Sequence, residues 1–259
     1  IPIRGVVGDQ QAGLIGQASF KPGMVKCTFG TGCFAMLNTG SNPLASNHRL
    51  LTTVAYRIAG QTTFALEGSI FIAGAAVQWL RDKLKIIDNA AQSEVIARSV
   101  SETGGVYMVP AFTGLGAPYW DTEARGVIVG LTRDSGAPEI VRAALESAVY
   151  QTRDLFEAMA ADGTTPVSVR VDGGMAANDW TMQFLSDLLS LRVERPLNTE
   201  TTVLGAAYLS ALGAGLYDSL DEVAAHWRIN KTFSPTMAKT DRDRLYAGWL
   251  KAVAQTQGH

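Results

Sequence analysis

The segment VVGDQQAGLIGQASFKPGMVKCTFGTGCF, residues 6–34, holds the features from which we infer fold and chemistry. Its apolar start predicts a strand that runs into Gly8-Asp9-Gln10-Gln11, and Met24–Phe29 predicts another that ends at Gly30-Thr31-Gly32. A carboxylate at a strand's carboxyl end is well placed, because α/β sheets bind ligands there. A Gly-Thr-Gly turn offers backbone N–H groups to an anion without an obstructing Cβ. This combination indicates phosphoryl transfer.

Both features are also compatible with ordinary structural roles. An Asp next to a helical segment often caps it, so Asp9 could cap a helix that begins near Ala12. A Gly-Thr-Gly sequence often forms nothing more than a hairpin turn. Taken singly, neither motif distinguishes catalysis from structure, and both alternatives stay open at this point.

Composition limits the class of protein. The 259 residues are 47% hydrophobic and 18% charged, as in a globular protein with a sizeable core. The net charge of −2 gives no basic surface, so we expect no nucleic-acid partner. Cys27 and Cys33 flank the Gly-Thr-Gly turn, and we expect two reduced thiols. The apolar run Val203–Leu216 is rich in Ala and Gly, which predicts a closely packed buried helix and no membrane span.

Strands and helices alternate along the chain, which predicts an α/β fold with a mixed sheet flanked by helices. Leu51–Ile58 and Thr62–Glu67 predict a second hairpin, and Ser69 is expected to cap the helix after it. The helix at 90–99 shows no recognisable chemistry. The other predicted strands lie at 34–37, 106–110, 125–131, 167–171 and 192–196, and the other helices at 72–83, 138–160, 180–189, 202–214, 220–227 and 241–254. Neither a repeat nor a linker interrupts the chain, so we expect one domain.

A second glycine motif follows the strand Val167–Val171. The strand leads into Asp172-Gly173-Gly174, and Asn178 is expected to open the next helix. Glycine lets the backbone approach a base or phosphate, and a helix N-terminus favours negative charge. The segment therefore predicts part of a nucleotide site.

The order of these motifs resembles the FGGY family of carbohydrate kinases, and in particular its glycerol kinases. The resemblance covers essentially the whole chain. It is carried by the segments DQQ at 9–11, TFGTGCF at 28–34, GAAVQWLRD at 74–82 and GGMAAN at 173–178. That family belongs to the actin-like, ribonuclease H-like ATPases, so the resemblance implies an actin-like fold. It also implies that residues 1–259 match the second, C-terminal domain of a two-domain kinase.

The resemblance implies specific roles and ligands. Asp9 corresponds to the catalytic base that takes a proton from glycerol, and Gln10 and Phe34 correspond to residues that, with Asp9, bind it. ATP and Mg²⁺ are the implied cofactors, and no residue here is assigned to a metal. The implied nucleotide-binding residues are Thr31, Gly74, Gln78, Gly174 and Asn178.

The family's first domain carries an Asp-x-Gly-Thr-Thr phosphate motif that has no match in this sequence. We therefore expect the chain to be part of a longer protein, with the N-terminal kinase domain as its missing partner. The resemblance further implies a cytoplasmic, homo-oligomeric enzyme when full length, and an isolated segment that is inactive.

Four functions stay in view. The first is phosphorylation of glycerol to glycerol 3-phosphate, and the second is transfer to a pentulose or similar sugar by another FGGY kinase. The third is a nucleotide-binding module without turnover. The fourth is an actin-like assembly protein, which retention of Asp9 argues against, since a filament subunit needs no acid positioned for a hydroxyl substrate.

Overall fold

A seven-stranded mixed sheet forms the centre of the computed structural model, which describes residues 1–257. The strands are β1 (Met24–Phe29), β2 (Cys33–Gly40), β3 (Leu51–Ile58), β4 (Gln61–Ile70), β7 (Ser168–Asp172), β8 (Val193–Pro196) and β9 (Ile229–Phe233), and β5 (Tyr107–Val109) and β6 (Val127–Val129) form a separate pair. Their order is β3-β4-β2-β1-β7-β8-β9, in which β1, β7 and β8 run parallel and all other neighbours antiparallel. Both predicted hairpins are confirmed.

Helices pack on both faces of this sheet, so the predicted mixed sheet flanked by helices is confirmed. The helices are α1 (Asp9–Gly16), α2 (Gly74–Trp79), α3 (Gln92–Ser99), α4 (Ala137–Ala161), α5 (Asp179–Leu189), α6 (Thr201–Gly213), α7 (Leu220–Ala224) and α8 (Lys239–Gln257). A π-helical turn, Leu80–Leu84, extends α2. Within residues 1–257, no helix is both long enough and apolar enough to cross a membrane.

The predicted start of the second helix is wrong. Ser69 lies inside β4 rather than before the helix, and α2 begins after Ala73 without a side-chain cap. The backbone N–H groups of Ala73 and Ala75 donate instead to the Thr31 carbonyl oxygen, at 2.8 and 3.0 Å. The first turn of α2 is therefore held by the Gly-Thr-Gly turn.

One face of the sheet packs against α4 and forms the main core. Val25, Cys27 and Phe29 of β1 point into this core, where they meet the buried apolar residues of α4. The two cysteines, Cys27 and Cys33, are both buried and free, as expected. Burial also raises the pKa of the Cys27 thiol well above its ordinary value.

The opposite face of the sheet carries charged side chains beneath α1. One row of paired positions crosses five neighbouring strands, and it consists of Glu67, Met36, Lys26, Arg170 and Glu194. Arg170 lies 3.6 Å from a Glu194 carboxylate oxygen, and its guanidinium stacks over Trp227 at 3.7 Å. We call these five residues, of which all but Met36 are charged, the charged row.

Two glycines, Gly16 of α1 and Gly205 of α6, bring these helices into direct backbone contact. A Cβ at Gly16 would lie 1.8 Å from the Thr201 carbonyl oxygen, so only glycine fits at this crossing. The buried Asp172 carboxylate joins the two helices to β7, because its Oδ2 accepts from Gln17 Nε2 and from Thr201 Oγ1, each at 2.6 Å.

The prediction that the apolar helix is buried is wrong. Only Thr201 and Gly205 of α6 are buried, and Val203 is 67% exposed. The helix touches α1 through a narrow stripe of small residues, so its larger apolar side chains are half-buried or, at Val203, exposed. A Leu- and Ala-rich sequence does not by itself distinguish a helix in a core from one at the surface of the chain.

Candidate active site

The Gly-Thr-Gly turn links β1 to β2 and packs on the start of α2. Gly74 N donates to the Gly30 carbonyl oxygen at 3.0 Å. A Cβ at Gly74 would lie 2.5 Å from that oxygen, so glycine is required for this approach. Thr31 is exposed at the tip of the turn, where its side chain faces a cavity.

The second glycine motif forms the opposite wall of this cavity. Gly173 has a φ of +85°, and a Cβ there would come within 2.5 Å of the Phe29 carbonyl oxygen. A Cβ at Gly174, in contrast, would meet no atom within 4 Å. Packing therefore explains the first glycine but not the second, whose missing side chain leaves room for a ligand.

Asn178 ends the glycine segment and caps α5, as the sequence predicts. Its Oδ1 accepts from Thr181 N at 2.9 Å, and its Nδ2 lies 3.5 Å from Ser93 Oγ. The cap commits the amide oxygen to the helix, so the side chain presents its NH₂ group to the cavity.

All five residues that the resemblance assigns to the nucleotide line one cavity of about 550 Å³, and they are Thr31, Gly74, Gln78, Gly174 and Asn178. This volume lies within the range of small-molecule pockets. Val77, Leu145 and Met175 give it apolar walls. A site with apolar walls, open glycine backbone and a few polar groups suits a base, a ribose and a phosphate chain.

Three further polar residues of the cavity are not among those assigned to the nucleotide from the sequence. Arg81 lies on the π-helical turn, and Ser93 and Glu94 lie at the start of α3. The sequence shows no recognisable chemistry in this helix, but the first turn of α3 forms part of the cavity wall. No local motif marks it, although two polar residues at a helix start are a weak signal.

Asp9 does not follow a strand, and this prediction is wrong. Residues 1–8 form no strand, and Asp9 is the first residue of α1 after Gly8. Pro2, Gly5 and Gly8 interrupt the apolar run, which therefore cannot continue as a sheet strand. The predicted position at a strand end is thus replaced by an exposed position at a helix N-terminus, where negative charge is favoured.

The capping alternative for Asp9 is also wrong. The helix begins at Asp9 itself rather than near Ala12, and no side chain caps it. The Asp9 Oδ1 atom accepts from the backbone N–H of Gln10, at 2.8 Å. The carboxylate is exposed, and among the ion pairs of residues 1–257 none includes Asp9. The fold of this chain therefore does not require an acid at this position.

A buried lysine, Lys26, connects Gln10 of α1 to Thr28 of β1, the residue that pairs with Phe34 of β2. Lys26 is 1% exposed, and its Nζ donates to Gln10 Oε1 and, at 3.0 Å, to Thr28 Oγ1. Thr28 pairs with Phe34 across the hairpin, so both side chains stand on the α1 face of the sheet. The structure thus brings the residues assigned to glycerol onto one face, outside the nucleotide cavity.

Two further charges surround these residues. Burial raises the pKa of Glu67, the nearby negative charge of Asp9 raises it further, and Lys26 opposes both. Burial also lowers the pKa of Lys26 from its ordinary value of 10.5, and the charge of Asp172 works against this. The side of the sheet under α1 is therefore an electrostatically coupled cluster.

The site has no built metal cage. Within residues 1–257, no group of three or more His, Cys, Asp or Glu residues could hold a metal ion. Mg²⁺ bound together with nucleotide phosphates needs only one or two carboxylates and keeps several waters. The described residues therefore fit a metal that arrives with the nucleotide better than a resident ion.

The fold and the cavity together define an α/β domain with a glycine-lined cavity of the size that small-molecule ligands occupy. The model of the FGGY family of carbohydrate kinases, C-terminal domain, matches residues 25–214, and the chain belongs to this family. A glycerol kinase of Alteromonas mediterranea is 60% identical over 255 residues, which cover 98% of this chain and 52% of that protein. The chain spans about half the length of the curated relatives it matches.

Solved structures agree with this assignment. The crystal structure of Plasmodium falciparum glycerol kinase with ADP has a TM-score of 0.92 and is 39% identical, covering 98% of this chain and 51% of its own. A xylulose kinase of Rhodospirillum rubrum has a TM-score of 0.83 at 25% identity, covering 96% of this chain and 50% of its own. The predicted actin-like kinase fold class is thereby confirmed.

Proposed function

We propose that the full-length protein phosphorylates glycerol to glycerol 3-phosphate with ATP, and that this chain supplies the catalytic base and much of the nucleotide site. The observation that carries the proposal is the convergence of five family-matched residues on one cavity. The ADP of the Plasmodium falciparum structure and the glycerol kinase relatives support ATP and glycerol as substrates.

The geometry suits a division of labour between two adjacent regions. Thr31 and the open backbone of Gly174 hold the phosphates and the adenosine, with Asn178 and Gln78 beside them. Asp9 accepts the proton of the attacking hydroxyl, a contribution typically worth about 10²–10⁴ in rate. Bound with the ATP phosphates, Mg²⁺ would neutralise charge on the transferred group.

The other half of the cleft comes from the part of the protein that lies outside this chain. The curated relatives are about twice as long, and α6 leaves Val203 exposed and its Leu side chains only half-buried. We propose that the N-terminal domain covers this surface and closes the cleft, which excludes water from transfer. The homo-oligomeric state and cytoplasmic location implied by the family resemblance stay predictions.

A second candidate is phosphorylation of a pentulose, because the xylulose kinase structure shares the fold. The DQQ and QWLRD segments favour glycerol instead. A third is an isolated nucleotide-binding module without turnover. All three share the nucleotide cavity and differ in the acceptor.

The test is ADP release by the full-length protein, measured with ATP and Mg²⁺ against a panel of polyols and ketoses. We expect glycerol to give the highest kcat/KM. A higher kcat/KM with a ketose would establish the second candidate. ADP binding without release of ADP on any acceptor would leave only the nucleotide-binding module.

A further inference from the structure

The most unusual side chain outside the nucleotide cavity is the buried ammonium of Lys26. It stands in the middle of β1, on the face covered by α1, and is 1% exposed. Among the ion pairs of residues 1–257, none includes Lys26. Burying an amine without a carboxylate partner is costly, so a purely structural role would be better filled by an apolar residue.

The hydrogen bonds of Lys26 indicate a role that offsets the free-energy cost of burying its ammonium. A side-chain amide has an acceptor end and a donor end, and its environment fixes which end faces where. An ammonium only donates, so the Gln10 oxygen must face Lys26, as observed. The Nε2–H groups are then the end of the Gln10 amide that is left for another partner.

The second acceptor of Lys26 fixes the lysine itself. Thr28 Oγ1 accepts from Nζ at 3.0 Å and lies on the strand position opposite Phe34. Gly13 of α1 also packs close to the ammonium, because a Cβ at this position would lie 3.5 Å from Lys26 Nζ. The ammonium is therefore held between the hairpin and α1, and it sets the position of Gln10 relative to Phe34.

We propose that Lys26 is a positioning residue that locks the Gln10 amide with its oxygen inward and its Nε2–H groups outward, toward a hydroxyl oxygen of the polyol substrate. This inference rests on the proposed function, since it names how that site recognises its acceptor. Gln10 binds a hydroxyl next to the reacting one as a donor, and Asp9 accepts from the reacting hydroxyl. The lock prevents the amide from turning its oxygen outward, where it would compete with Asp9 for the same protons.

The first test uses Lys26→Met in the full-length kinase, because methionine is unbranched, of similar length and without N–H donors. We expect the KM for glycerol to rise about tenfold or more, as for a lost buried hydrogen bond, and the KM for ATP to stay within about twofold. The matched control is Lys251→Met, which makes the same change at an exposed position of α8. A KM for glycerol that rises no more in Lys26→Met than in Lys251→Met would overturn the proposal.

A double-variant cycle separates positioning from a general effect on the fold. Because Lys26 acts through Gln10, Lys26→Met should add less than about twofold to the KM of Gln10→Ala. Effects that multiply would contradict the proposal. Gln10→Glu keeps Lys26 in place but has no outward donor, so the KM for glycerol should rise without loss of thermal stability. An unchanged KM in this variant would also contradict the proposal, even if Lys26→Met fails to fold.

The last readout needs no catalysis. The ¹⁵N side-chain amide signal of Gln10, assigned by its loss in Gln10→Ala, should be shifted and slow to exchange in the wild type. In Lys26→Met the Gln10 signal should move to the chemical shift of a free amide. An unchanged signal would contradict the proposal that Lys26 fixes the Gln10 amide. If the wild type transfers phosphate to no polyol or ketose, the proposed function fails, whereas this spectrum still decides the role of Lys26.

Discussion

The carbonyl oxygen of Ala12 occupies the space where a side chain on Gly205 would begin. A Cβ on Gly205 would lie 1.8 Å from that oxygen, far inside any real contact. The backbones of α1 and α6 therefore touch at these two residues, as they do at Gly16 and Thr201. Because α1 begins at Asp9, the position of the candidate base depends on this crossing.

We expect Gly205→Ala to lower the free energy of unfolding of the chain by about 3 kcal/mol or more. The obstructing atoms are backbone atoms, so the two helices must separate to admit a methyl group. Denaturant unfolding followed by circular dichroism measures the change. The control, Ser210→Ala, alters an exposed position of the same helix and should change stability by no more than about 0.5 kcal/mol. Equal stability of both variants would mean that the helices do not cross so closely.

The stability of the fold should depend on the protonation of Asp154, a buried carboxyl in α4. Its Oδ1 accepts from the Tyr246 hydroxyl at 2.6 Å and its Oδ2 from Trp249 Nε1 at 2.9 Å. Burial nevertheless dominates and raises the pKa of Asp154 to about 6 from the ordinary 3.8. Folding therefore favours the protonated carboxyl between these two values.

The sign of this effect follows from the raised pKa. The contribution of Asp154 to stability is full below pH 3.8 and is lost as pH rises to about 6, a change on the order of 3 kcal/mol. In Asp154→Asn this titration is absent, so the variant should gain stability relative to the wild type between about pH 4 and pH 7. The measurement is the difference in free energy of unfolding at several pH values. A difference that is independent of pH would contradict the raised pKa.

Gly174→Trp should weaken ADP binding at least about tenfold without unfolding the chain. A Cβ at this position would have no atom within 4 Å, so the indole can enter the cavity without displacing the fold. Isothermal titration calorimetry with ADP measures the affinity. Ala160→Trp adds the same bulk at an exposed site on α4 and should bind ADP as the wild type does. Unaltered affinity in Gly174→Trp would place the nucleotide elsewhere.

In the full-length enzyme, Asp9→Asn should reduce kcat by a factor of roughly hundreds or more, because asparagine cannot accept the hydroxyl proton. Asparagine keeps the Oδ1 acceptor that the Gln10 N–H uses, so a merely structural Asp9 would tolerate the change. Steady-state kinetics and ADP affinity distinguish the two roles. Asp218→Asn, at an exposed acid in the turn between α6 and α7, provides the control. Turnover near that of the wild type would leave Asp9 without a catalytic role.

The 259-residue chain alone should bind ADP weakly and release almost no ADP from ATP with glycerol. Without the proposed N-terminal domain to close the cleft, water reaches the phosphates and the transition state loses its charge stabilisation. The comparison is made with the full-length protein at equal concentration. Robust turnover by the chain alone would mean that this chain carries a complete site.

Local patterns predict a strand well where turn residues mark both of its ends, whereas β9 is not predicted at all. Leu51–Ile58 has the same limits in the sequence pattern and in the structure, since turn residues flank an alternating run. The close backbone approach at Gly173 is also predictable, because a glycine directly after a strand often marks one. These signals are local, so a single sequence contains them.

Other features depend on distant residues. The burial of α6 is one, because it is set by what packs against the helix rather than by its own apolar sequence. Lys26 is recognisable in the sequence as a charge inside an apolar strand, but its acceptor on α1 lies sixteen positions away. Sequence pattern alone does not specify such tertiary partners.

The charged row also has a consequence for how the sheet assembles. A slip of β1 by one residue would turn Lys26 toward α4 and bring an apolar neighbour to the α1 face. The ammonium would then lie in a purely hydrophobic interior without an acceptor, at a cost of several kcal/mol. The residue that orients Gln10 thus also penalises misaligned pairings, so the strand register and the geometry of the acceptor site are selected together.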